Sequence, residues 1–284
     1  MVQTARLVVG AAVFLLSFPA LSSPFNWTDN SVAYRYSPYF REPGISKDGK
    51  ARDIPKNIIS LSHSDGWDYG GNLAILDILK SSSADPAKEG GDGAVELYGV
   101  LRSDFSIPRI LGDKSFKLGP VKDVMIELGG DLNIKNTTFG SRKRMPVAGL
   151  AMALDVPGYW TLAALWDKEW NHNGVVGRPV TFNSTARFET AWGIPFRLGE
   201  EGFTFTGFGI VNGPKGRDGF NQQTRTETLL HAKLLYDLGA LFDDPGRLKA
   251  GFGWQYWHSK FGSDHTANQG SIESAPFLEV QVHF

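Results

Sequence analysis

The stretch Val121–Lys135 reads VKDVMIELGGDLNIK, and it decides between a helix and a strand. Val124, Ile126, Leu128, Gly130, Leu132 and Ile134 share one parity. Glu127, Gly129, Asp131, Asn133 and Lys135 share the other. Side chains alternate sides along a strand, so this order gives one apolar and one polar face with a period of two. The same alternation places Val95, Leu97, Gly99 and Leu101 opposite Glu96, Tyr98, Val100, Arg102 and Asp104. At the end of the chain it sets Pro276, Leu278, Val280 and Val282 against Phe277, Glu279, Gln281 and His283, before a terminal Phe284.

Reading outward from these segments gives twelve of comparable length, each bounded by turn residues. They fall at 32–40, 57–63, 68–80, 93–104, 121–135, 144–156, 159–170, 180–194, 203–212, 224–238, 248–260 and 275–284. A soluble sandwich would produce a similar string, with its apolar faces turned inward. The even count, the terminal aromatic and the loop lengths favour an all-β, 12-stranded antiparallel transmembrane β-barrel of the bacterial outer membrane, a multi-pass protein with apolar parity facing lipid. Short turns are expected at Ser64–Trp67 and Val156–Gly158 on the inner side. Long connections are expected at Arg41–Lys56, Ser81–Asp92, Gly213–Gln223 and Phe261–Ser274 on the outer side. Phe105–Pro120 departs from that rule as a long inner connection, and the lipid face of 68–80 is ambiguous.

Arg6 before the apolar run Leu7–Leu16, with small residues at Ala20 and Ser22, marks residues 1–22 as a signal peptide and 23–284 as the barrel. The chain has 284 residues, no cysteine, and 29 basic against 30 acidic side chains. That composition excludes a disulfide framework and a thiolate metal site, and it gives no reason to expect nucleic acid as a partner. His172, His258 and His265 lack metal-ligand spacing, so no metal and no cofactor is assigned.

Phe105-Ser106-Ile107, then Ser115-Phe116-Lys117-Leu118-Gly119-Pro120 and Lys122, resemble a stretch of the Tsx family of nucleoside-specific outer-membrane channels. Similarity continues in Trp27 with Ser31-Val32, Tyr36 with Phe40, Gly149-Leu150 before Asp155–Gly158, Arg187-Phe188 to Ile194-Pro195, and Leu234–Asp237. The resemblance implies a monomeric twelve-stranded barrel whose narrow pore, lined by aromatic and ionisable residues, passes nucleosides. It also implies that Phe40 contacts the pore wall; the terminal Phe284 resembles the assembly signal that ends bacterial outer-membrane proteins, which implies that it addresses the barrel-assembly machinery. The loops Arg41–Lys56 and Asp77–Gly91 have no counterpart in the family pattern.

A nucleoside channel needs ring faces for stacking and polar groups for base edges and hydroxyls. Parity turns Tyr98, Phe208 and Trp257 inward, together with Glu96, Arg102, Glu127, Asp131, Arg187, Glu189, Arg225, Glu227, His231, Lys233 and Gln255. A lipid-facing Lys or Arg would cost roughly 2 to 4 kcal/mol at mid-membrane, which drives these charges inward. The same residues could instead fill the bore with mutually satisfied charges. Trp160, Trp166, Trp170, Trp192, Trp254 and Tyr256 are expected as anchors at the membrane surfaces.

Three other functions compete with selective passive uptake, and the first, a non-specific porin, would need a wider barrel of sixteen or more strands. His63-Ser64-Asp65-Gly66 has a superficial likeness to the active-site strand of outer-membrane phospholipase A, but adjacent residues point to opposite faces, so no enzyme is expected. A surface receptor or adhesin barrel would rest on the long outer loops.

Overall fold

A computed structural model describes residues 25–44, 50–174 and 176–284. The expected signal peptide lies outside them. Twelve strands form the wall: β1 (Trp27–Phe40), β2 (Ile54–Trp67), β3 (Gly70–Ser81), β4 (Val95–Ser106), β5 (Val121–Lys135), β6 (Arg142–Leu154) and β7 (Tyr159–Asp167) come first. A short hairpin follows, β8 (Trp170–Asn173) and β9 (Arg178–Thr181), and then β10 (Thr185–Leu198), β11 (Glu201–Asn212), β12 (Glu227–Asp237), β13 (Leu248–His258) and β14 (Glu273–His283). Each wall strand pairs antiparallel with its neighbours; β1 with β14 and β5 with β6 complete the ring, so the barrel has no free edge.

Burial follows parity. Along β14, Glu273, Ala275, Phe277 and Glu279 are buried inside, whereas Ser274, Pro276, Leu278 and Val280 are exposed outside. On β5, Met125, Glu127, Asp131, Asn133 and Lys135 are buried, whereas Ile126, Leu128, Leu132 and Ile134 are exposed. A continuous band of exposed Leu, Ile, Val and Phe in water would be an aggregation surface; in lipid it is the solvated face. Trp166, Trp170, Trp254 and Tyr256 are exposed toward one end of the band, and Trp27, Tyr159 and Trp160 toward the other. Trp192 differs: its ring lies under Phe205, 5.7 Å between centroids, and over Gly207, so it is covered rather than exposed.

The end where β1 begins and β14 finishes, here the inner end, carries the tight connections. Asp68–Tyr69 joins Trp67 to Gly70, and Gly199–Glu200 joins β10 to β11 with Gly199 at φ 64°, a left-handed position that glycine adopts without strain. The β2–β3 turn therefore falls after the expected Ser64–Trp67. The strand continues because its outward polar residues find partners: His63 Nδ1 to Asn30 Oδ1 at 2.8 Å, and Asn72 Nδ2 donating to Asp65 Oδ1 at 2.8 Å. The long inner connection after β4 holds a one-turn helix, α1 (Ile107–Ile110), where Arg109 N donates to Ser106 Oγ. Ser106 Oγ in turn donates to Asp123 at 2.7 Å.

Two details were not legible as alternation. The ambiguous strand β3 turns Leu79 inward onto a cluster of Phe40, Ile58 and Ala275, and Asp77 inward onto the Ser60 hydroxyl; Leu76 and Ile78 face lipid. The expected strands 159–170 and 180–194 give up their outer ends to the β8–β9 hairpin, which extends β6 through the Arg144–Trp170 pair.

Candidate pore and its lining

Inward parity brings charges from separate strands together in two facing sectors of the lumen. In the first, Arg102 on β4 crosses to β10, where Nη2 lies 2.7 Å and Nε 3.2 Å from the two carboxylate oxygens of Glu189. Its Nη1 donates to Asp131 Oδ1 at 3.0 Å, and Nε lies 3.3 Å from Glu127 Oε1, a charge contact outside hydrogen-bond alignment. Arg187 also holds both Glu189 and Asp131, the latter at 3.3 Å. Lys143 donates to the Tyr98 hydroxyl at 2.8 Å, which donates onward to Asp131 Oδ2 at 3.2 Å. Behind these charges Met125, Met145, Val147, Ala151, Ala163 and Leu165 form an apolar wall. Removing water from two arginines is tolerable only because each guanidinium fork is filled by carboxylates.

The second sector is aromatic. Phe208, His231 and Phe277 lie face to face, with centroids 5.1 Å and 4.7 Å apart and planes within 12° and 17°. The Arg35 guanidinium continues the column, 5.2 Å from the Phe277 centroid. Gly253 on β13 makes this possible, since a Cβ there would run into the Phe277 ring. Glu279 anchors the cations around the column, bonding Arg35 at 2.7 Å and pairing with Lys233. Gln255 holds His231 Nδ1 at 3.1 Å and donates to Glu273 at 2.6 Å, and Trp257 Nε1 donates to Glu227 at 2.7 Å.

Across the outer mouth, the first residues of the β1–β2 connection fold inward. Glu42 is buried among Lys56, Lys260 at 3.5 Å and Lys135 at 3.8 Å. Lys260 Nζ also donates to Arg41 O at 2.6 Å and to Glu273 at 2.8 Å, while Arg41 N donates to Glu273 Oε2 at 2.8 Å. Burial pushes the Glu42 carboxyl up, but the ammoniums of Lys135, Lys260 and Lys56 outweigh it and hold the group well below the usual carboxylate range. Lys260 is raised: burial opposes its charge, and Glu273 and Glu42 more than compensate. A second buried pair, Lys215 with Glu169, closes the rim beside the β8–β9 hairpin, with Lys215 Nζ 4.5 Å from the centre of the Phe182 ring.

Of the fifteen residues expected to line the pore, fourteen sit within the barrel or its mouth. Tyr98, Glu189, Phe208, Glu227, Lys233, Gln255 and Trp257 are half-buried, so solvent reaches them. Phe40, Glu96, Arg102, Glu127, Asp131, Arg187 and His231 are buried behind partners; Phe40 packs on Ile58 and Ala275 with Lys56 over its ring. Arg225 lies elsewhere. It precedes β12 in an outer connection, exposed, with Nη2 2.7 Å from Asp264. The expected segment began three residues too early there, at 224, because strand pairing on β12 begins at Glu227. Arg35, Asp77, Phe277 and Glu279 were absent from the expected lining; the alternation of β14 already turned Phe277 and Glu279 inward.

His63 points outward with its ring nitrogens engaged by Asn30 and Asp65, and Ser64, paired with Asp29, is on the lumen face. Nucleophile and base are thus on opposite sides of the wall, and the phospholipase arrangement is not built here.

The fold and this lining define a class: a closed, twelve-stranded, membrane-type β-barrel with a charged and aromatic bore. Neither a family model nor a curated protein sequence matches the chain. Among solved structures, it is similar to the translocator domain of the autotransporter NalP from Neisseria meningitidis, with 10% identity, 90% of this chain and 88% of that one covered, and a TM-score of 0.48. It is also similar to the COG4313 outer membrane channel from Pseudomonas putida F1, with 12% identity, 94% and 100% covered, and a TM-score of 0.47. A third is the KdgM porin in complex with disordered oligogalacturonate, with 12% identity, 89% and 99% covered, and a TM-score of 0.43.

Proposed function

We propose that this chain is a monomeric channel of the bacterial outer membrane that passes nucleosides or similar small polar aromatic solutes by passive diffusion, in the manner of the Tsx family it resembles. The observation that carries the reading is the Phe208–His231–Phe277 column with Arg35 at its end, set opposite the Arg102–Arg187 carboxylate cluster. A flat base needs a π face, and its sugar and edge atoms need donors and acceptors; the half-buried Phe208 at the end of the column offers the first, and the charged sector on the far strands of the ring offers the second. The half-buried Tyr98, Trp257, Gln255 and Lys233 extend the polar and aromatic lining toward the mouths. Contacts spread along a path favour transit, because one tight site would trap the solute.

Liposome uptake of labelled nucleosides beside sugars and amino acids of similar size tests the proposal. Faster uptake of nucleosides, with slowing by Trp257→Ala, is the expected result. Equal uptake of all three solute classes, or none, would remove the selective-channel reading.

A further inference from the structure

Charged side chains on the lipid-facing parity of the wall strands are few, and two stand together. Arg142 and Arg144 both project outward from the outer end of β6, exposed, and among the described residues neither side chain has an ion pair or hydrogen-bond partner. The three arginines of the bore, Arg35, Arg102 and Arg187, are each held by carboxylates, so an unpaired couple on the outer face of the wall contrasts with them. Register adds a third nitrogen donor. Arg144 pairs with Trp170 at the start of β8, and His172, two residues further along the same strand, shares the outward parity of Trp170. Directly beside the arginines on β5 are the exposed Leu132 and Ile134, their cross-strand partners.

The surface thus has an apolar floor topped, at the outer membrane boundary, by two free guanidiniums two residues apart, about 7 Å along the strand. That spacing suits a phosphate-bearing headgroup, which a guanidinium grips with two parallel hydrogen bonds. Acyl chains would cover Leu132 and Ile134, and an exposed indole such as Trp170 belongs at headgroup level. A free anion in water would have no use for the apolar floor, and a protein partner would have to displace lipid from it.

We propose that Arg142 and Arg144, with His172 beside them, form a binding site for the phosphorylated headgroup of a lipid in the outer leaflet. The site would anchor the β8–β9 side of the rim at a fixed height. This rests on the barrel lying in the outer membrane, and it is independent of what the bore conducts.

Native mass spectrometry of the folded barrel released from detergent decides it, with bis-phosphorylated lipid A and the same glycolipid lacking both phosphates as probes. The wild-type protein should retain the phosphorylated lipid and not the dephosphorylated one. Millimolar inorganic phosphate should not displace it. Arg142→Gln/Arg144→Gln should lower retention about tenfold, the loss expected for a charge-assisted contact. Lys122→Gln, at the inner end of β5, should leave retention unchanged. Equal retention of both glycolipids by the wild-type protein would overturn the proposal even if the double variant failed to fold. So would displacement by inorganic phosphate, or full retention by a double variant whose unboiled electrophoretic mobility shows an intact barrel. Neither outcome would bear on solute uptake.

Discussion

Arg102 and Glu189 are 87 positions apart in the chain and meet at 2.7 Å across the lumen, with β5, β6 and β7 between their strands. The contact draws a chord across the bore rather than along its wall, so it narrows the passage as well as tying the two sides together. Its carboxylate partners at Asp131 and Glu127 make Arg102 the hub of the first sector.

Arg102→Gln should leave three carboxylates without their shared cation. Breaking one partner out of a buried ionic cluster costs about 3 to 5 kcal/mol, so the unboiled folded form should melt at a lower temperature on electrophoresis. Planar-bilayer recordings should show a wider and more cation-selective pore, because the chord is cut and negative charge is exposed. An unchanged conductance and ion selectivity would mean that the solute path does not pass this point.

Gly253→Ala tests the aromatic column without removing any of its members. The added Cβ would run into the Phe277 ring and come within 2.6 Å of Ala232 O, so the ring must leave the stack. Overpacking of this kind costs about 1 to 3 kcal/mol. Block of conductance by a nucleoside should weaken several-fold, while block by a sugar of similar size should not change.

Phe208→Ala removes one ring face directly. Base–aromatic stacking is worth roughly 1 to 3 kcal/mol per base, so the nucleoside concentration giving half-maximal block should rise about fivefold or more. Trp257→Ala should act in the same direction at the outer end, where its indole is half-buried and donates to Glu227. Arg187→Ala is a poorer probe, because that side chain is buried against Asp131 and Glu189 and its loss disturbs folding.

The Glu42 closure of the outer mouth should be insensitive to pH across the physiological range. The folded carboxyl is held below its unfolded value of about 4.3, so its stabilisation is complete above that value and is lost only as pH falls through the lower folded value. Lys260 sets the opposite limit: its folded value is raised, so its contribution is present below about pH 10.4 and fades as pH rises beyond that. Conductance should therefore stay level between about pH 5 and 9 and rise in strong acid. Glu42→Gln should raise it throughout that plateau, measured in the same bilayer recordings.

Period-two alternation is a local property, and the sequence by itself determined most of what depends on it. All twelve wall strands were legible, as were the lipid-facing side of β4, β5, β12 and β14 and the inward direction of Tyr98, Phe208, Gln255 and Trp257. Segment ends were less legible. Arg225 and the β8–β9 hairpin carry the same kind of residues as a wall strand, and only pairing with a neighbour separates the two cases. The face of β3 was undetermined because leucines and isoleucines occupy both parities, until Leu79 met Phe40 and Ile58.

Which inward residues meet was decided by tertiary structure alone. Parity says that Arg102 and Glu189 look into the bore, but closing the ring through β5–β6 and β1–β14, with its particular stagger, sets them at the same depth. The same closure stacks His231 on Phe277 across an intervening strand, and it folds Glu42 onto lysines from β2, β5 and the β13–β14 connection. A strand's own residues fix its two faces, while depth and distance across the lumen belong to the closed barrel.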